Sequence, residues 1–407
     1  MSHSKVNSNF ELGHRDTLTL RIKKGADRRI IRGHDWVFSN ELIEIPHSAK
    51  NHGGALVHLQ NHQGKYLATA TFNPKTLIAA RIVSRKPLAA LSVDWFRNRI
   101  EDAMALRDVI FTSPFYRLVY GESDGLPGLV IDRFGDYLVV QVTTAGMELV
   151  RENLAAALDD VLRPKGIVWR ADDHFRELEG LETCAPLITG SVPAEVEVRE
   201  GELTFSTNLS EGQKTGWYYD QRDNRLRLHK YARGKRVLDV FSYAGGWAVH
   251  ALKAGATSAT CLDRSEPALT AATNNAIRNG VTVTTICGEA FAELRKLVDA
   301  GKRFDIVVVD PPALIKRKKD FEAGLQAYFQ LNRLAAQLLS SSGLLVSCSC
   351  SHHLPEENLW EVVQHAATAA KKNIRITEIG AQSADHPMHP GMPEMTYLKA
   401  LYAWLSD

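Results

Sequence analysis

Two short stretches place reactive side chains directly after apolar runs that are typical of buried strands. Asp310 follows Ile306–Val309, and the thiols of Cys348 and Cys350 follow Leu344–Val346. In an open α/β sheet, ligands bind just beyond the carboxyl ends of such strands. If the two runs are neighbouring strands, an acid and a thiol meet at one edge of the sheet. That pair predicts a site for attack on an electron-poor ring.

This pair suits the methylation of a pyrimidine carbon. Carbon 5 of cytosine is a poor nucleophile, and addition of a thiolate to carbon 6 splits one difficult step into two easier ones. Asp310 could hydrogen-bond the ring nitrogen and favour the charge that develops there. On a straight strand Cys348 and Cys350 share one side, so orientation does not choose between them. Cys350 lies further past the strand end and is the preferred nucleophile, with Cys348 as the alternative.

The cysteines also allow two other interpretations. The run from Cys348 to His353 contains potential zinc ligands, but zinc sites usually have about two to four residues between paired cysteines and a second ligand pair elsewhere. No second pair is evident, so no metal is predicted. Free cysteines are more often small core residues, which suits Cys184, Cys261 and Cys287.

A second constellation, from Val237 to Trp247, predicts a nucleoside-binding turn. An apolar strand with Asp239 leads into a glycine-rich turn and a helix, so that the backbone can approach a ligand at the helix N-terminus. Asp263 ends the next strand and could accept both ribose hydroxyls, while Glu289 could accept from an adenine amino group. The turn lacks the G-x-G-x-x-G pattern of dinucleotide sites, which favours S-adenosylmethionine over NAD. The predicted cofactor-binding residues are Asp239, Phe241, Tyr243, Gly245, Asp263, Arg264, Glu289, Ala290, Gln221 and Pro311.

The cofactor-binding role predicted for Gln221 comes from a different segment, residues 212–225, which is rich in amide, cationic and aromatic side chains. Gln221 and Arg222 could hold the carboxylate of the cofactor's methionine part. The alternative is a capped helix with a solvated charged face. Basic clusters elsewhere could face phosphates with an aromatic ring near the bases, although such clusters are commonly just solvated. The predicted RNA-binding residues are Arg28, Arg29, Arg32, His34, Trp36, Lys214, Lys316 and Arg317.

The remaining pattern divides the 407 residues into three parts after a polar tail at 1–16. Residues 17–92 read as short strands of a β-rich module. Residues 93–204 combine a helix over Val93–Val109 with an α+β layer, in which a helix near Glu148–Leu162 precedes a last strand near Ala194–Glu200. Residues 205–407 alternate strands and helices, as in a parallel doubly wound sheet. The net charge of +2 and five unpaired-looking cysteines fit a cytoplasmic protein with no membrane span.

The chain from about residue 17 resembles bacterial 23S ribosomal RNA cytosine-5 methyltransferases built from PUA, EEHEE and Rossmann-like domains. The stretches that carry the resemblance occur in family order across all three parts: RRIIRGHDWVFSNEL, GESDGLPGLVIDRFGDYLVVQ, GQKTGWYYDQRDNR, LDVFSYAGGWAVHALKAGA, VVVDPPALIKRKKD, LVSCSCSHH and ADHPMHPGMPEMTYLK. The resemblance implies that 17–92 form a PUA RNA-binding domain, 93–204 a helical linker with an EEHEE domain, and 205–407 a class I methyltransferase domain. It also implies that Cys350 is the nucleophile. Related enzymes often carry a second cysteine where this chain has Pro312.

We therefore expect an α/β enzyme that methylates carbon 5 of a cytosine in 23S ribosomal RNA, or in a large-subunit precursor, with S-adenosylmethionine. Asp-Pro-Pro at Asp310 also resembles the motif of exocyclic-amine methyltransferases, but Ala313 lacks the aromatic ring of that motif. A non-catalytic RNA-binding assembly factor is a third hypothesis. The sequence leaves open which cytosine is chosen, which base removes the ring proton, and whether the protein is a homodimer.

Overall fold

The structure is a computed structural model that describes residues 18–45, 53–172, 175–210 and 215–407. The tail at 1–16 and Lys214 lie outside these residues. Three sheets of five or more strands follow one another along the described chain, each with its own hydrophobic core, and a two-stranded hairpin lies between the second and the third. Among the helices of these described ranges, none has the length and apolar character to cross a membrane.

The first module is a five-stranded sheet. Alternating apolar residues such as Leu20, Val57 and Leu59 are fully buried on one side, as expected for a half-buried sheet. A short helix lies between the first two strands. The elements are β1 (Leu18–Arg21), α1 (Asp27–Ile31), β2 (Trp36–Phe38), β3 (Leu56–Gln60), β4 (Tyr66–Phe72) and β5 (Ile78–Ser84), with sheet order β1-β3-β4-β5-β2.

The second module packs helices against another five-stranded sheet. The predicted helix over Val93–Val109 is confirmed as α2, and Ser92 caps it by accepting from the Trp95 backbone N–H at 3.2 Å. The elements are α2 (Val93–Ile110), β6 (Phe115–Tyr120), β7 (Leu129–Phe134), β8 (Tyr137–Val142), α3 (Ala145–Leu149), α4 (Arg151–Leu162), β9 (Gly166–Ala171), α5 (Phe175–Leu178) and β10 (Cys184–Gly190), with sheet order β10-β9-β8-β7-β6.

The predicted strand near Ala194–Glu200 is confirmed as a strand, but its place in the sheet of this module was wrong. The fifth strand of the sheet is β10, whereas the predicted segment pairs with the chain that follows it, as the hairpin of β11 (Val196–Glu200) and β12 (Leu203–Thr207). β10 lies at the sheet edge and is exposed along nearly its whole length, so it has no buried face to produce an alternating pattern. It also contains Pro186, which an edge strand tolerates.

The third module is a seven-stranded sheet of order β15-β14-β13-β16-β17-β19-β18, with helices on both faces. Five neighbouring strands are parallel, and β19 is antiparallel to both of its neighbours. The predicted Rossmann-like sheet is confirmed. Its elements are α6 (Arg222–Ala232), β13 (Arg236–Val240), α7 (Gly246–Lys253), β14 (Ser258–Asp263), α8 (Glu266–Arg278), β15 (Thr284–Cys287), α9 (Ala290–Asp299), β16 (Phe304–Val309), α10 (Phe321–Leu338), β17 (Leu339–Ser349), α11 (Glu356–Ala369), β18 (Asn373–Gly380) and β19 (Lys399–Ser406).

Buried polar contacts lock the second module onto the third. Arg107 of α2 is fully buried and donates to both carboxylate oxygens of Asp124 and to the Asp385 carbonyl at 2.8 Å. Asp385 in turn accepts from the Arg117 backbone N–H at 3.0 Å. Because a buried charge is tolerated only when it is paired, these contacts hold the two modules in one arrangement.

Candidate active site

The strand order of the third sheet reverses between β13 and β16, so the crevice for a ligand opens at the carboxyl ends of these strands. Asp310 directly follows β16, and Cys350 directly follows the neighbouring parallel strand β17. Cys350 Sγ lies 3.8 Å from the carbonyl oxygen of Pro311, the residue next to Asp310. The predicted acid and thiol therefore share one edge of the sheet.

Asp310 is held by two side-chain donors. Gln221 Nε2 donates to Oδ1 at 2.9 Å, and the indole Nε1 of Trp247 donates to Oδ2 at 3.1 Å. Burial raises the pKa of Asp310 to about 6, against the opposing effect of the Trp247 hydrogen bond. The carboxyl group can consequently gain and lose a proton near neutral pH.

The two cysteines differ sharply in their surroundings. Cys348 is fully buried in the core beside Ala400 and Tyr402, and burial raises its pKa well above the ordinary value. Cys350 is half-buried and lies beyond the last residue of β17. β17 and its pairing with β19 end at Ser349, so Cys350 is not part of the paired strand.

A hydroxyl network ties the thiol segment to the Asp310 loop. Tyr328 of α10 bonds both Ser349 Oγ at 2.8 Å and Ser351 Oγ at 2.9 Å. Ser351 Oγ also accepts from the Ile315 backbone N–H at 3.1 Å. Both residues that flank Cys350 are thus anchored to α10, and Ser351 is also anchored to the loop that carries Asp310. Sequence reasoning missed these hydroxyls, because serine and tyrosine give no signal by type alone.

The predicted cofactor turn has an unusual backbone. Phe241 and Tyr243 adopt positive φ angles of 65° and 45°, which are rare without glycine, and Gly245 follows at 78°. Asp263 holds this turn, since its Oδ2 accepts from the Tyr243 N–H and its Oδ1 from the Ser265 N–H, both at 2.9 Å. Strained backbone of this kind is concentrated at ligand clamps.

Asp239 lies beneath the turn rather than at its rim. It is fully buried, and its Oδ2 accepts from the Ala248 N–H of α7 at 3.1 Å. Its Oδ1 is buried without a hydrogen-bond partner among the described residues, and burial raises the Asp239 pKa to about 7. An unpartnered acceptor under a strained turn fits the binding of a polar cofactor here.

The other predicted cofactor residues line the neighbouring strand ends. Arg264 and Glu289 follow β14 and β15 and are largely exposed, with Arg264 Nη1 4.0 Å from Glu289 Oε1. Ala290 is buried at the start of α9, and Pro311 is buried beside Cys350. The half-exposed Asp263 and the exposed Glu289 leave carboxylate surface available at the edge where ribose and adenine are expected.

Gln221 and Arg222 have structural contacts that the sequence did not indicate. Gln221 accepts from Asn224 Nδ2 at 2.7 Å in addition to its bond to Asp310. Arg222 donates to the Phe115 carbonyl, and its guanidinium lies over the rings of Phe111 and Tyr219. Gln221 thus positions Asp310, and Arg222 packs between modules. Their predicted contact with a methionine carboxylate remains a prediction.

The basic cluster of the first module borders the third module. His34 is buried, and its Nε2 lies 3.3 Å from Glu394 Oε1. Trp36 Nε1 donates to Glu122 Oε1 at 2.7 Å. These two side chains therefore make contacts between modules. Arg28 and Arg32 are exposed, while Arg29 is partly buried against Glu41. These three arginines line a cavity of ≈ 560 Å³ together with His34, Pro390 and Gly391.

The second basic cluster lies beside the thiol segment. Lys316 and Arg317 are exposed, and Arg317 pairs with Asp320 at 3.0 Å. The adjacent Lys318 and Lys319 line a cavity of ≈ 430 Å³ together with Phe321, Glu322 and His353, which follows Cys350 closely in the chain. Within the described ranges, no group of three or more His, Cys, Asp or Glu side chains could hold a metal ion.

Comparison with known proteins agrees with this geometry. Residues 20–85 match a PUA-like domain, and residues 181–391 match the S-adenosylmethionine-dependent methyltransferase family. Proteins named ribosomal RNA large subunit methyltransferase I from Shigella boydii, Escherichia coli and Cronobacter sakazakii are each 35% identical over 390 residues, which cover 94% of this chain and 98% of theirs.

Solved structures show the same fold. A protein crystallised in complex with SAH superposes with a TM-score of 0.82 at 20% identity, covering 95% of this chain and 100% of the other. A SAM-dependent methyltransferase from Streptococcus mutans gives 0.81 at 20% identity, covering 96% and 100%. The family match over residues 181–391 shows that S-adenosylmethionine is the cofactor of this enzyme. The chain belongs to the S-adenosylmethionine-dependent methyltransferases, in the family of ribosomal RNA large subunit methyltransferase I.

Proposed function

We propose that this enzyme methylates carbon 5 of a cytosine in 23S ribosomal RNA, or in a large-subunit precursor, through a covalent bond to Cys350. The observation that carries the proposal is the 3.8 Å distance between Cys350 Sγ and the Pro311 carbonyl, which brings the thiol beside Asp310. The relatives named ribosomal RNA large subunit methyltransferase I support the substrate class. A cytoplasmic location follows from that substrate.

The thiolate of Cys350 forms the S–C6 bond while the C5–C6 π electrons shift toward carbon 5. Bound S-adenosylmethionine would supply the electrophilic methyl group for carbon 5, with its S–CH3 bond broken and S-adenosylhomocysteine as the leaving group. Loss of the proton at carbon 5 then allows the S–C6 bond to break, which frees the thiolate and restores the aromatic ring. Division into an addition and an elimination is how covalent catalysis lowers such a barrier.

Asp310 binds the ring at nitrogen 3. This nitrogen accepts a hydrogen bond, so Asp310 must be protonated to donate to it. With a pKa near 6, about a tenth of Asp310 is protonated at pH 7 before substrate binds. A donor at this position stabilises the negative charge that spreads into the ring when the thiolate adds.

The RNA path joins the two basic clusters. Arg28, Arg32, Lys316 and Arg317 are exposed and suit phosphate contacts. Arg29 and Lys214 are proposed as additional phosphate contacts, and His34 and Trp36 as residues near the bases. Because the site is a crevice at the sheet edge, the target base must leave its stack to reach Cys350.

The decisive experiment replaces Cys350 with alanine. Purified enzyme is incubated with methyl-labelled S-adenosylmethionine and 23S ribosomal RNA from a strain lacking the gene, and the methylated base is mapped by mass spectrometry. Cys350→Ala should abolish methylation, whereas Cys184→Ala, on the exposed edge strand β10, should not change it. Full activity of Cys350→Ala refutes the covalent role.

RNA with 5-fluorocytosine at the mapped position separates carbon methylation from exocyclic-amine methylation. Fluorine at carbon 5 cannot leave as a proton does, so the S–C6 adduct should persist with the native enzyme and be absent with Cys350→Ala. Methylation without any adduct would identify the exocyclic amine as the acceptor. RNA binding without methylation would instead support an assembly factor.

A further inference from the structure

Lys399 is a buried lysine at the edge that carries Cys350. It is the first residue of β19 and pairs with Ser349 of β17. Its side chain is nearly inaccessible, with 9% of the residue exposed. Nζ donates to the backbone carbonyls of Ser351 and Tyr397, each at 2.9 Å. One of these two carbonyls belongs to the residue that follows Cys350.

The ammonium of Lys399 has no carboxylate pair among the described ion pairs, and its two hydrogen-bond acceptors are neutral carbonyls. Burial lowers its pKa, while Cys350 and Glu356 are the groups whose charge favours its protonation. A neutral amine uses both of its N–H bonds on the two carbonyls and keeps a lone pair. Lys399 can therefore accept one proton at this position.

The other titratable groups that interact with Cys350 come from several elements. They include Asp310, whose negative charge opposes a thiolate and which precedes the contact residue Pro311, together with Tyr218 before α6, Tyr328 of α10 and Cys348 of β17. None of these side chains can carry a positive charge, whereas Lys399 of β19 can. A cation beside a thiol favours the thiolate, which is the reactive form.

We propose that Lys399 activates Cys350 by taking the proton of its thiol. The S–H bond breaks, and the proton passes through one bridging water to the lone pair of Nζ, which leaves a thiolate near an ammonium. When the thiolate leaves carbon 6 at the end of the reaction, the proton can return to sulfur. This inference rests on the proposed covalent role of Cys350, and Lys399 acts through Cys350 rather than on the substrate.

The test measures alkylation of Cys350 by iodoacetamide as a function of pH, by mass spectrometry of the Cys350 peptide. Cys184 and Cys287, the exposed thiols, are first replaced by serine. Lys399→Gln should move the alkylation midpoint upward by about one pH unit or more, with about a tenfold lower rate at pH 7, because a neighbouring charge shifts a pKa by about that amount.

Lys372→Gln is the matched control. Its Nζ also donates to a backbone carbonyl, that of Ser340 at 2.9 Å, but at the opposite end of β17. This variant should leave the profile of Cys350 unchanged. An unchanged profile in Lys399→Gln overturns the proposal.

If Lys399→Gln does not fold, the alkylation profile of the native protein provides a second test. Its Cys350 should react with a midpoint below that of a free cysteine, about 8.5, and a midpoint at or above that value also overturns the proposal. The methylation assay with Cys350→Ala tests the covalent role separately. A failure of the proposed function is therefore distinguishable from a failure of this inference.

Discussion

The indole Nε1 of Trp247 donates a hydrogen bond to Asp310 Oδ2 across 3.1 Å, and Gln221 occupies the other carboxylate oxygen. Trp247 belongs to α7, directly after the cofactor turn, and Gln221 directly precedes α6. The orientation of the proposed ring-binding acid thus depends on two elements outside its own loop. Changes at these donors should alter the titration of Asp310 as well as its position.

Replacement of Gln221 with leucine should raise the pKa of Asp310 above 6. The Gln221 hydrogen bond lowers this pKa, and a hydrogen bond to a charged group is worth about 1.5–3 kcal/mol, so its loss should move the pKa upward by about one pH unit. If protonated Asp310 is required, the alkaline limb of the kcat/KM profile should move to higher pH by the same amount, with a lower maximum. Gln364→Leu, on the exposed face of α11, is the control. An unmoved limb would contradict the proposed role of Asp310.

Asp310→Asn should slow methylation, because an amide is a weaker hydrogen-bond donor than a carboxylic acid, and it should change the pH dependence of stability. The folded-state pKa of about 6 lies above the ordinary 3.8, so above pH 6 folding must bury an unfavourable charge. Relative to the native protein, the free energy of unfolding of the variant should therefore rise by up to about 3 kcal/mol between pH 4 and pH 8, in addition to a loss at every pH from the donor that then faces the amide NH2. Urea denaturation at pH 8 and pH 4.5 measures both values.

Asp305→Asn, on β16 just before Asp310, is a control for which the expected change in stability has the opposite sign. Arg236 and Ser340 bond the Asp305 carboxylate, and chiefly the Arg236 hydrogen bond lowers the Asp305 pKa to about 2. This variant should be less stable than the native protein at pH 8, and the difference should disappear only as the pH falls from about 4 toward 2. If the stability of both variants relative to the native protein changed with pH in the same direction, the environments assigned to Asp305 and Asp310 would be wrong.

Ser351→Ala should loosen the thiol segment. It removes the acceptor of the Ile315 N–H and one partner of Tyr328, which leaves a buried amide unsatisfied at a cost of about 1–3 kcal/mol. Unfolding in urea should show that loss, and adduct formation with 5-fluorocytosine RNA should slow because Cys350 is no longer held. Ser341→Ala, at an exposed position of β17, should affect neither measurement. Native adduct kinetics in Ser351→Ala would show that the network only stabilises the fold.

Trp36→Phe should weaken RNA binding without affecting the cofactor. It removes the 2.7 Å hydrogen bond to the buried Glu122 that joins the first and second modules. We expect a lower free energy of unfolding, by about 1–3 kcal/mol, and a higher KM for RNA at unchanged affinity for S-adenosylmethionine. Calorimetry and initial rates measure these quantities, with the more exposed Trp360→Phe as control. An equal loss of cofactor affinity would indicate general unfolding.

Alanine at Arg28, Arg32, Lys316 or Arg317 should reduce the salt dependence of RNA binding. Each lost phosphate contact should lower the slope of log K against log salt by about 0.7. Lys302→Ala, at an exposed position before β16 and so at the opposite end of the strands, should leave the slope unchanged. Binding isotherms at several salt concentrations distinguish these cases, and an unchanged slope at Lys316 would exclude it from the RNA path.

Local sequence patterns were sufficient to predict most of the helices and strands. The apolar runs that end at Val309 and Val346 are buried parallel strands, and the residues after them lie at the carboxyl edge as expected. Edge strand β10 was missed because its exposure removes the periodic signal. The contacts of Trp36 with Glu122 and of Gln221 with Asp310 join residues far apart in the chain. Spacing along the chain does not report such contacts.

The sequence by itself determined the class of fold, the cofactor and the order of the three modules, because these follow from periodicity and from motifs that are local in the chain. Only the tertiary structure decided which cysteine is accessible: the chain leaves β17 at Ser349, so that Cys348 is buried in the core and Cys350 is half-exposed beside Pro311. It also brought Lys399 to the same edge through strand pairing. Accessibility and proton affinity depend on what packs around a side chain, and those neighbours come from distant parts of the chain.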